Sequence, residues 1–460
     1  MNRKTVKRIL APTVVAAMLG VVAAWALTRG GPGLPRQAEG FAPESQSRAG
    51  GQPGYGWSTH PGTTEAVKHA LAAAGKFSED KSDAVFVFYT TQHEPERIVA
   101  TMQALAGPGL RILGWSSDYG VIGPDGYHAS PGGSLGLLRV RLPGVTAGLG
   151  WAELHEAPSA DQVAQLAVKR AMEDAGRPSD PPAIIVMAPT YDGCEEQLLK
   201  GIDAVTGGQV PVIGGTAAGS SADRTRKGSA IAKDKVIRTG LVLAVLYSRK
   251  PVAWAYRGGF NRTGKSGTVT ASDGRVIRKI DGRPALDVYD EWSGGRVSEA
   301  MRAGKEMNKF TGLYPLCRVI SSTGSSQNLF IHPWPVPDAD KPKCLVTSAS
   351  VYAGDVVYFS EGSWNILLNR IGALPQLAKE GRSDMEVGAG LLICCEAVLK
   401  NIPPDQRDQI SYLMNLSLGG APWIGMFTWG EQGNFPGLGN HHGNLLTGTL
   451  LLPKGEAQRD

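Results

Sequence analysis

One pattern runs through the sequence three times: an apolar strand, a helix-like stretch, and a second strand that ends on a Gly-rich turn. The first copy opens at Ala84-Val85-Phe86-Val87-Phe88 and closes at Ile112-Leu113-Gly114-Trp115-Ser116-Ser117. The second opens at Ala183-Ile184-Ile185-Val186-Met187 and closes at Val212-Ile213-Gly214-Gly215-Thr216-Ala217. The third opens at Gly390-Leu391-Leu392-Ile393-Cys394 and closes at Trp423-Ile424-Gly425-Met426-Phe427-Thr428. Each copy spans about 30 residues or slightly more, the size of one β-α-β unit. A further apolar strand follows each turn: Leu135–Leu142, Gly240–Tyr247 and Thr449–Leu452. The repeat predicts an α/β fold of β-α-β units, with ligand-binding groups just past the strand ends.

The beginning of the chain reads differently. Arg3, Lys4, Lys7 and Arg8 precede an uncharged apolar run from Ile9 to Leu27. Such a run is about as long as one hydrocarbon core as a helix, and its basic flank keeps the amino terminus cytoplasmic. Residues 1–28 are therefore expected to be a signal anchor, with a cleaved signal peptide as the alternative because Ala24-Trp25-Ala26 fits a cleavage site. The folded part would then be membrane-anchored outside the cytoplasm, or secreted. Residues 29–57, rich in Gly, Pro, Ser and Gln, read as a disordered linker. The net charge of the chain is +5. Four of the positive charges belong to the leader, so the folded part is nearly neutral and is not expected to bind nucleic acid. The cysteines, Cys194, Cys317, Cys344, Cys394 and Cys395, contain no C-x-x-C pair, and the sequence leaves their disulfide state open.

Within the folded part, Thr63-Thr64-Glu65 opens an amphipathic helix that Gly75 stops. A helix is expected over Glu195–Val205, another after Pro284, and two more over Trp364–Ala378 and Pro404–Leu418. Short strands are expected at Gly264–Thr270, Ile277–Ile280, Cys317–Ser322, Leu345–Ser348 and Val356–Phe359. The texture changes after Pro251, which places a boundary between domains 58–250 and 251–453, with a tail at 454–460.

Three turn sets are candidates for lining a site for a small polar ligand: Trp115, Ser116, Ser117 and Asp118; Thr216 with Ser220; and Thr428, Trp429 and Glu431. They offer hydroxyls, carboxylates and aromatic walls at the same point of three repeats. The segment from Gly430 to Asn444, with His441 and His442, is the densest polar cluster, but it carries no metal-binding spacing such as H-E-x-x-H. A haem would need an axial histidine in an apolar pocket, for which His442, His332 or His93 could serve. A hydrolase using Cys395 and His442 is the enzymatic alternative, although no nucleophile elbow accompanies the pair. No Walker loop is present, nor a G-x-G-x-x-G after a strand, which disfavours nucleotides.

Four ordered stretches resemble the FIST family of sensory domains. They are LGWSSDYGVIGPDGY within Ile112–Tyr127, PVIGGTAAGSSADR at Pro211–Arg224, Gly267–Tyr289 with its Asp281-Gly282-Arg283-Pro284, and PWIGMFTWGEQG at Pro422–Gly433. The likeness spans roughly residues 60 to 452. It implies a two-part α/β sensory module that binds small ligands such as amino acids, with haem reported for some relatives. On the matching motifs fall Ser116, Ser117, Gly214, Thr216, Thr428, Gly430 and Glu431, with His442 in a looser match. Trp115 stands where the family often has cysteine. The chain shows no kinase, cyclase or receiver sequence, so the expectation is a non-enzymatic sensor whose output passes through a partner protein.

Overall fold

A computed structural model of the chain describes residues 53–77, 84–141, 143–190, 193–335 and 343–455, all within one compact unit. The leader and most of the expected linker lie outside the described residues. Among the described residues no helix is long and apolar enough to cross a membrane. The linker boundary is corrected at one end. Gly54–Ser58 is a strand, paired residue for residue with Leu135–Arg139.

Each repeat contributes one parallel strand pair: Ala84–Tyr89 with Arg111–Ser116, Ile184–Pro189 with Val212–Gly215, and Val387–Cys395 with Trp423–Thr428. Around each pair a six-stranded mixed sheet is built on one plan. Two antiparallel strands flank it on one side: Leu135–Val140 and Gly54–Ser58, Gly240–Ser248 and Val145–Glu153, or Leu446–Pro453 and Ala253–Gly258. A short hairpin completes the other side, and in every case it comes from a different repeat. The first repeat's hairpin (Val121–Gly123, Gly126–His128) joins the third sheet. The third repeat's hairpin (Glu431–Phe435, Gly439–Gly443) joins the second sheet, and the second repeat's (Ala230–Ala232, Lys235–Ile237) joins the first. The exchange is cyclic, so none of the three repeats completes its own sheet.

Strand alternation sorts the core into layers. Phe86, Phe88, Val186, Ala188, Leu391 and Ile393 point into one central core shared by the three sheets. Val85 and Val87 point outward onto helices Thr63–Ala74 and Pro95–Ala106. Ile185 and Met187 meet helices Ala160–Asp174 and Glu195–Thr206, and Leu392 and Cys394 meet Trp364–Ala378 and Asp408–Leu418. In each sheet a helix lies directly on the outer antiparallel strand (Gly54–Ser58, Val145–Glu153 or Ala253–Gly258), because that strand carries almost no side chain there. A Cβ on Gly54 or Gly56 would sit 2.2 or 2.0 Å from a carbonyl oxygen of the first helix, and one on Gly148 or Gly150 would sit 2.0 Å from a carbonyl of Ala160–Asp174. The third repeat has Ala253 and Ala255 in this strand, both buried.

Between Ala253–Gly258 and Trp364–Ala378 the third repeat carries an insertion. It is an eight-stranded antiparallel sheet, with Asn261–Asp273 and Val276–Ile280 as its central hairpin. Helices Ala285–Trp292, Arg296–Arg302 and Met307–Thr311 cover one face of it over Val269, Ile277, Val357 and Phe359. The position expected to divide two domains, near 250–255, falls where the chain passes from strand Gly240–Ser248 into strand Ala253–Gly258. All five cysteines are buried thiols.

Candidate functional site

The three Gly-rich turns meet and close a ring of backbone hydrogen bonds. The Ala218 N–H donates to Ser116 C=O at 2.9 Å, the Trp429 N–H to Thr216 C=O at 3.2 Å, and the Asp118 N–H to Phe427 C=O at 3.0 Å. In each repeat the donor lies two residues after the acceptor. A second set of bonds runs the other way: Ser116 N–H to Ser229 C=O, Thr216 N–H to Gly430 C=O, and Phe427 N–H to the Ser117 hydroxyl. Ser117 relays that last contact by donating to Gly120 C=O at 2.6 Å.

The ring absorbs much of the polarity expected to face a ligand. Ser116 Oγ donates to Ala218 C=O and accepts from the Ser229 N–H. Thr428 Oγ1 donates to Glu431 Oε1 at 2.8 Å, and Glu431 Oε2 accepts from the Leu446 N–H. Burial drives the Glu431 carboxyl well above the usual range, against the pull of these two donors. Asp118 binds the Ser221 N–H and hydroxyl. Ser220 Oγ caps the Asp223 N–H. Trp115 points into the central core, edge-on to Phe88. Gly214 and Gly430 are spacers. A Cβ on Gly214 would lie 2.1 Å from Met187 C=O, and one on Gly430, at φ +148°, would lie 2.8 Å from the His442 ring.

Two of the expected residues, Thr216 and His442, belong to a second cluster just outside the ring. Glu195 and Glu196 open the helix that follows the second repeat's first strand. Thr216 Oγ1 donates to Glu195 Oε1 at 3.0 Å, and the Gly193 N–H caps Oε2. Arg275, in the turn of the insertion's central hairpin, places Nη2 2.7 Å from Glu195 and 2.9 Å from Glu196. The Ser350 N–H, also from the insertion, donates to Glu196 Oε1 at 2.7 Å. His442 arrives on the exchanged hairpin of the third repeat. Its Nε2 lies 3.2 Å from Ser348 C=O, and its Nδ1 lies 3.1 Å from the Gln432 amide nitrogen, which also reaches Thr216. Gln432 Oε1 is buried without a hydrogen-bond partner.

Burial raises both glutamates, but His442, Arg275 and backbone N–H groups outweigh it. The net direction is down for both, to about 2 for Glu196. Two carboxylates, one guanidinium and one imidazole thus converge at this point. The ligand atoms of Glu195, Glu196 and His442 lie within 4.8 Å of one another, a spacing that suits a cation. Arg275 already occupies that role.

The other chemistries weighed from the sequence fare differently. Cys395 Sγ donates to Asn444 Oδ1, and burial, with Glu431 and Glu396 nearby, pushes its thiol well above the usual range. Its thiolate is thus disfavoured, and His442 faces Gln432 and Ser348 instead. His332 spends Nε2 on Thr311, and burial holds it down to about 3. His93 Nδ1 reaches Thr63 at 3.4 Å.

Glu195 and Glu196 were within reach of sequence reasoning, because carboxylates sit just past a strand end that the repeat had located. Arg275, Ser348 and Ser350 come from the insertion, and no local signal ties them to this turn.

The fold and site define an α/β module of three hairpin-exchanging repeats. A FIST N domain matches residues 83–283 and a FIST C domain matches residues 285–434. The chain belongs to the FIST family, and the two matches meet inside the inserted sheet. No curated protein matches the chain. Among solved structures, a cyanuric acid hydrolase from A. caulinodans is similar at 9% identity and a TM-score of 0.32, over 88% of this chain and 100% of that one. A likeness at that level carries no argument about activity.

Proposed function

We propose that this protein is a small-ligand sensor without catalytic output of its own, and that its ligand binds at the Glu195–Glu196–Arg275–His442 cluster. The observation that carries this reading is the convergence of Glu195, Glu196, Arg275 and His442, beside the unpartnered Gln432 carbonyl, at the carboxyl end of a parallel strand pair. An α-amino acid fits the chemistry. Its ammonium group is a cation for Glu195 and Glu196, and its carboxylate takes the Arg275 guanidinium in a bidentate pair.

Arg275 bridges both glutamates in the free protein, so such a ligand must draw it away from at least one of them. Arg275, Ser348 and Ser350 all belong to the insertion. Occupancy therefore changes how the inserted sheet is tied to the three-repeat core, which gives a partner protein something to read. The leader at residues 1–28 supports a location outside the cytoplasm, anchored or secreted.

A thermal-shift screen of amino acids, other small metabolites and hemin tests the reading. A ligand at 100 times its Kd adds about 2.7 kcal/mol of stability. A shift from amino acids supports the proposal. A shift from hemin alone, or from nothing in the panel, refutes the amino-acid assignment.

A further inference from the structure

At the end of the second sheet opposite the ring of turns, the joints between repeats run side by side. Gly144 lies just ahead of Val145–Glu153 in the joint between the first and second repeats. Arg249 follows Gly240–Ser248 in the joint between the second and third, and its N–H donates to Gly144 C=O at 3.0 Å. Lys250 Nζ reaches Lys454 C=O at 3.3 Å, which brings the end of the third repeat to the same place. A cleft of about 430 Å3 opens here, lined by Thr146, Arg177, Tyr247 and Arg249 among others.

We infer that this cleft is an anion-binding site, separate from the amino-acid site, and that it takes a small phosphoryl or polyphosphoryl group. The volume lies within the range of small-molecule sites. The wall is tied together, because the Tyr247 hydroxyl shares its one proton between Arg177 C=O at 3.2 Å and Asp180 C=O at 3.0 Å. The Arg177 guanidinium lies over the Tyr247 ring, 4.9 Å from its centre, which holds it at the cleft. Among the described residues its one carboxylate partner, Asp180, is 3.8 Å away and exposed, a weak pair. Among the described residues no carboxylate pairs with Arg249. Gly144, at φ +84°, is a position where the backbone favours glycine, and the three atoms nearest to a Cβ built there all belong to the Arg249 side chain. Two guanidinium groups without strong partners, Arg249 on the joint between the second and third repeats and Arg177 after helix Ala160–Asp174, line one polar cleft and match an oxyanion that accepts from both.

Isothermal titration of the full chain with inorganic pyrophosphate, at low ionic strength, tests this inference. Co-sedimentation with phosphatidylcholine vesicles, with and without phosphatidylglycerol, provides the second arm and separates a free phosphoryl compound from a lipid headgroup. The expected result is saturable pyrophosphate binding, or a gain in sedimentation that depends on phosphatidylglycerol, since the apolar run Ile9–Leu27 would by itself carry the chain to either vesicle; either of these counts as binding. Arg249→Gln should weaken it about tenfold, and Arg177→Gln should weaken it again, as loss of a charged hydrogen bond implies. Arg226→Gln, at an exposed arginine already paired with Asp223, should leave it unchanged. Arg249 is exposed, so its variant should fold, and circular dichroism verifies that. No binding in either arm, or binding that survives both cleft substitutions, overturns the assignment. Neither result bears on Glu195 or Arg275, so the two sites stand or fall separately.

Discussion

The hydroxyl of Ser117 accepts the Phe427 N–H at 2.9 Å, joining two residues 310 positions apart in the chain. The same hydroxyl donates to Gly120 C=O, so one buried oxygen links the first and third repeats and supports the hairpin passed between them. Corresponding backbone contacts tie the first repeat to the second and the second to the third. The three repeats are held as a closed cycle, and the hairpin exchange makes each sheet depend on its neighbour.

Ser117→Ala removes that link and leaves a buried donor and a buried acceptor without partners. The expected loss of stability is about 2 kcal/mol or more. Ser220→Ala removes a single loop-capping bond and should cost no more than about 1 kcal/mol. Urea unfolding of the two variants checks the ordering. Equal losses would contradict the relay.

Gly150→Ala should destabilise far more than its one methyl group suggests. The added Cβ meets the Ala167 carbonyl at 2.0 Å, so the helix must lift from the strand. Overpacking of this kind costs about 3 kcal/mol or prevents folding. Gly264→Ala enters open space and should change stability by less than about 0.5 kcal/mol. Thermal denaturation of the pair separates the two outcomes.

Arg275→Met leaves Glu195 and Glu196 facing each other without their cation, with an expected cost of about 3 kcal/mol or more. Adding Glu195→Gln to that variant should recover part of the loss, because it removes one of the repelling charges. A double-mutant cycle in urea measures the coupling. Additive losses would mean that the bridge does not stabilise the free protein.

Stability should fall with acid in a defined window. Burial holds His332 down to about 3 and His93 down to about 4, against 6.5 for an exposed imidazole. Below pH 6.5 the unfolded chain takes up protons that the native state refuses. Their contribution is therefore complete above 6.5 and declines as pH falls toward 4 and then 3. At pH 5 each histidine should account for about 2 kcal/mol of lost stability. Glu196, held at about 2 by its partners, adds a further loss below about 4.5. Denaturation midpoints measured from pH 8 to pH 4 check the window, and His332→Gln should flatten it. A flat profile across this range would contradict the burial of neutral imidazoles.

How much of this was legible in the sequence depends on the element. The parallel pairs are buried on both faces, so Ala84–Tyr89, Ile184–Pro189 and Gly390–Cys394 read as unbroken apolar runs and announce themselves. Helix Trp364–Ala378 has the bounds its periodicity predicts. The hairpins left no such trace. Val121–Gly123 and Gly126–His128 are three residues each and rich in glycine, and their partner strand Trp423–Thr428 lies in another repeat. Gly54–Ser58 looks like linker because its glycines are there to admit a helix backbone.

At the site, the repeat led to Ser116, Ser117, Thr216, Thr428 and Glu431 because it marks strand ends. What these residues do at the strand ends is a tertiary matter. Four of them spend their polar atoms on other turns or on the neighbouring strand, while Thr216 reaches Glu195. Arg275 completes the cluster from an insertion whose position in space follows only from the fold.

The most direct test of the central claim is titration calorimetry of the folded protein with the common amino acids, alongside Glu195→Gln and Arg275→Gln. The account predicts that at least one amino acid binds the native chain and that each substitution weakens it by tenfold or more, about 1.4 kcal/mol. An amino acid that binds both variants as tightly as the native chain, or the absence of binding by any of them, would contradict it.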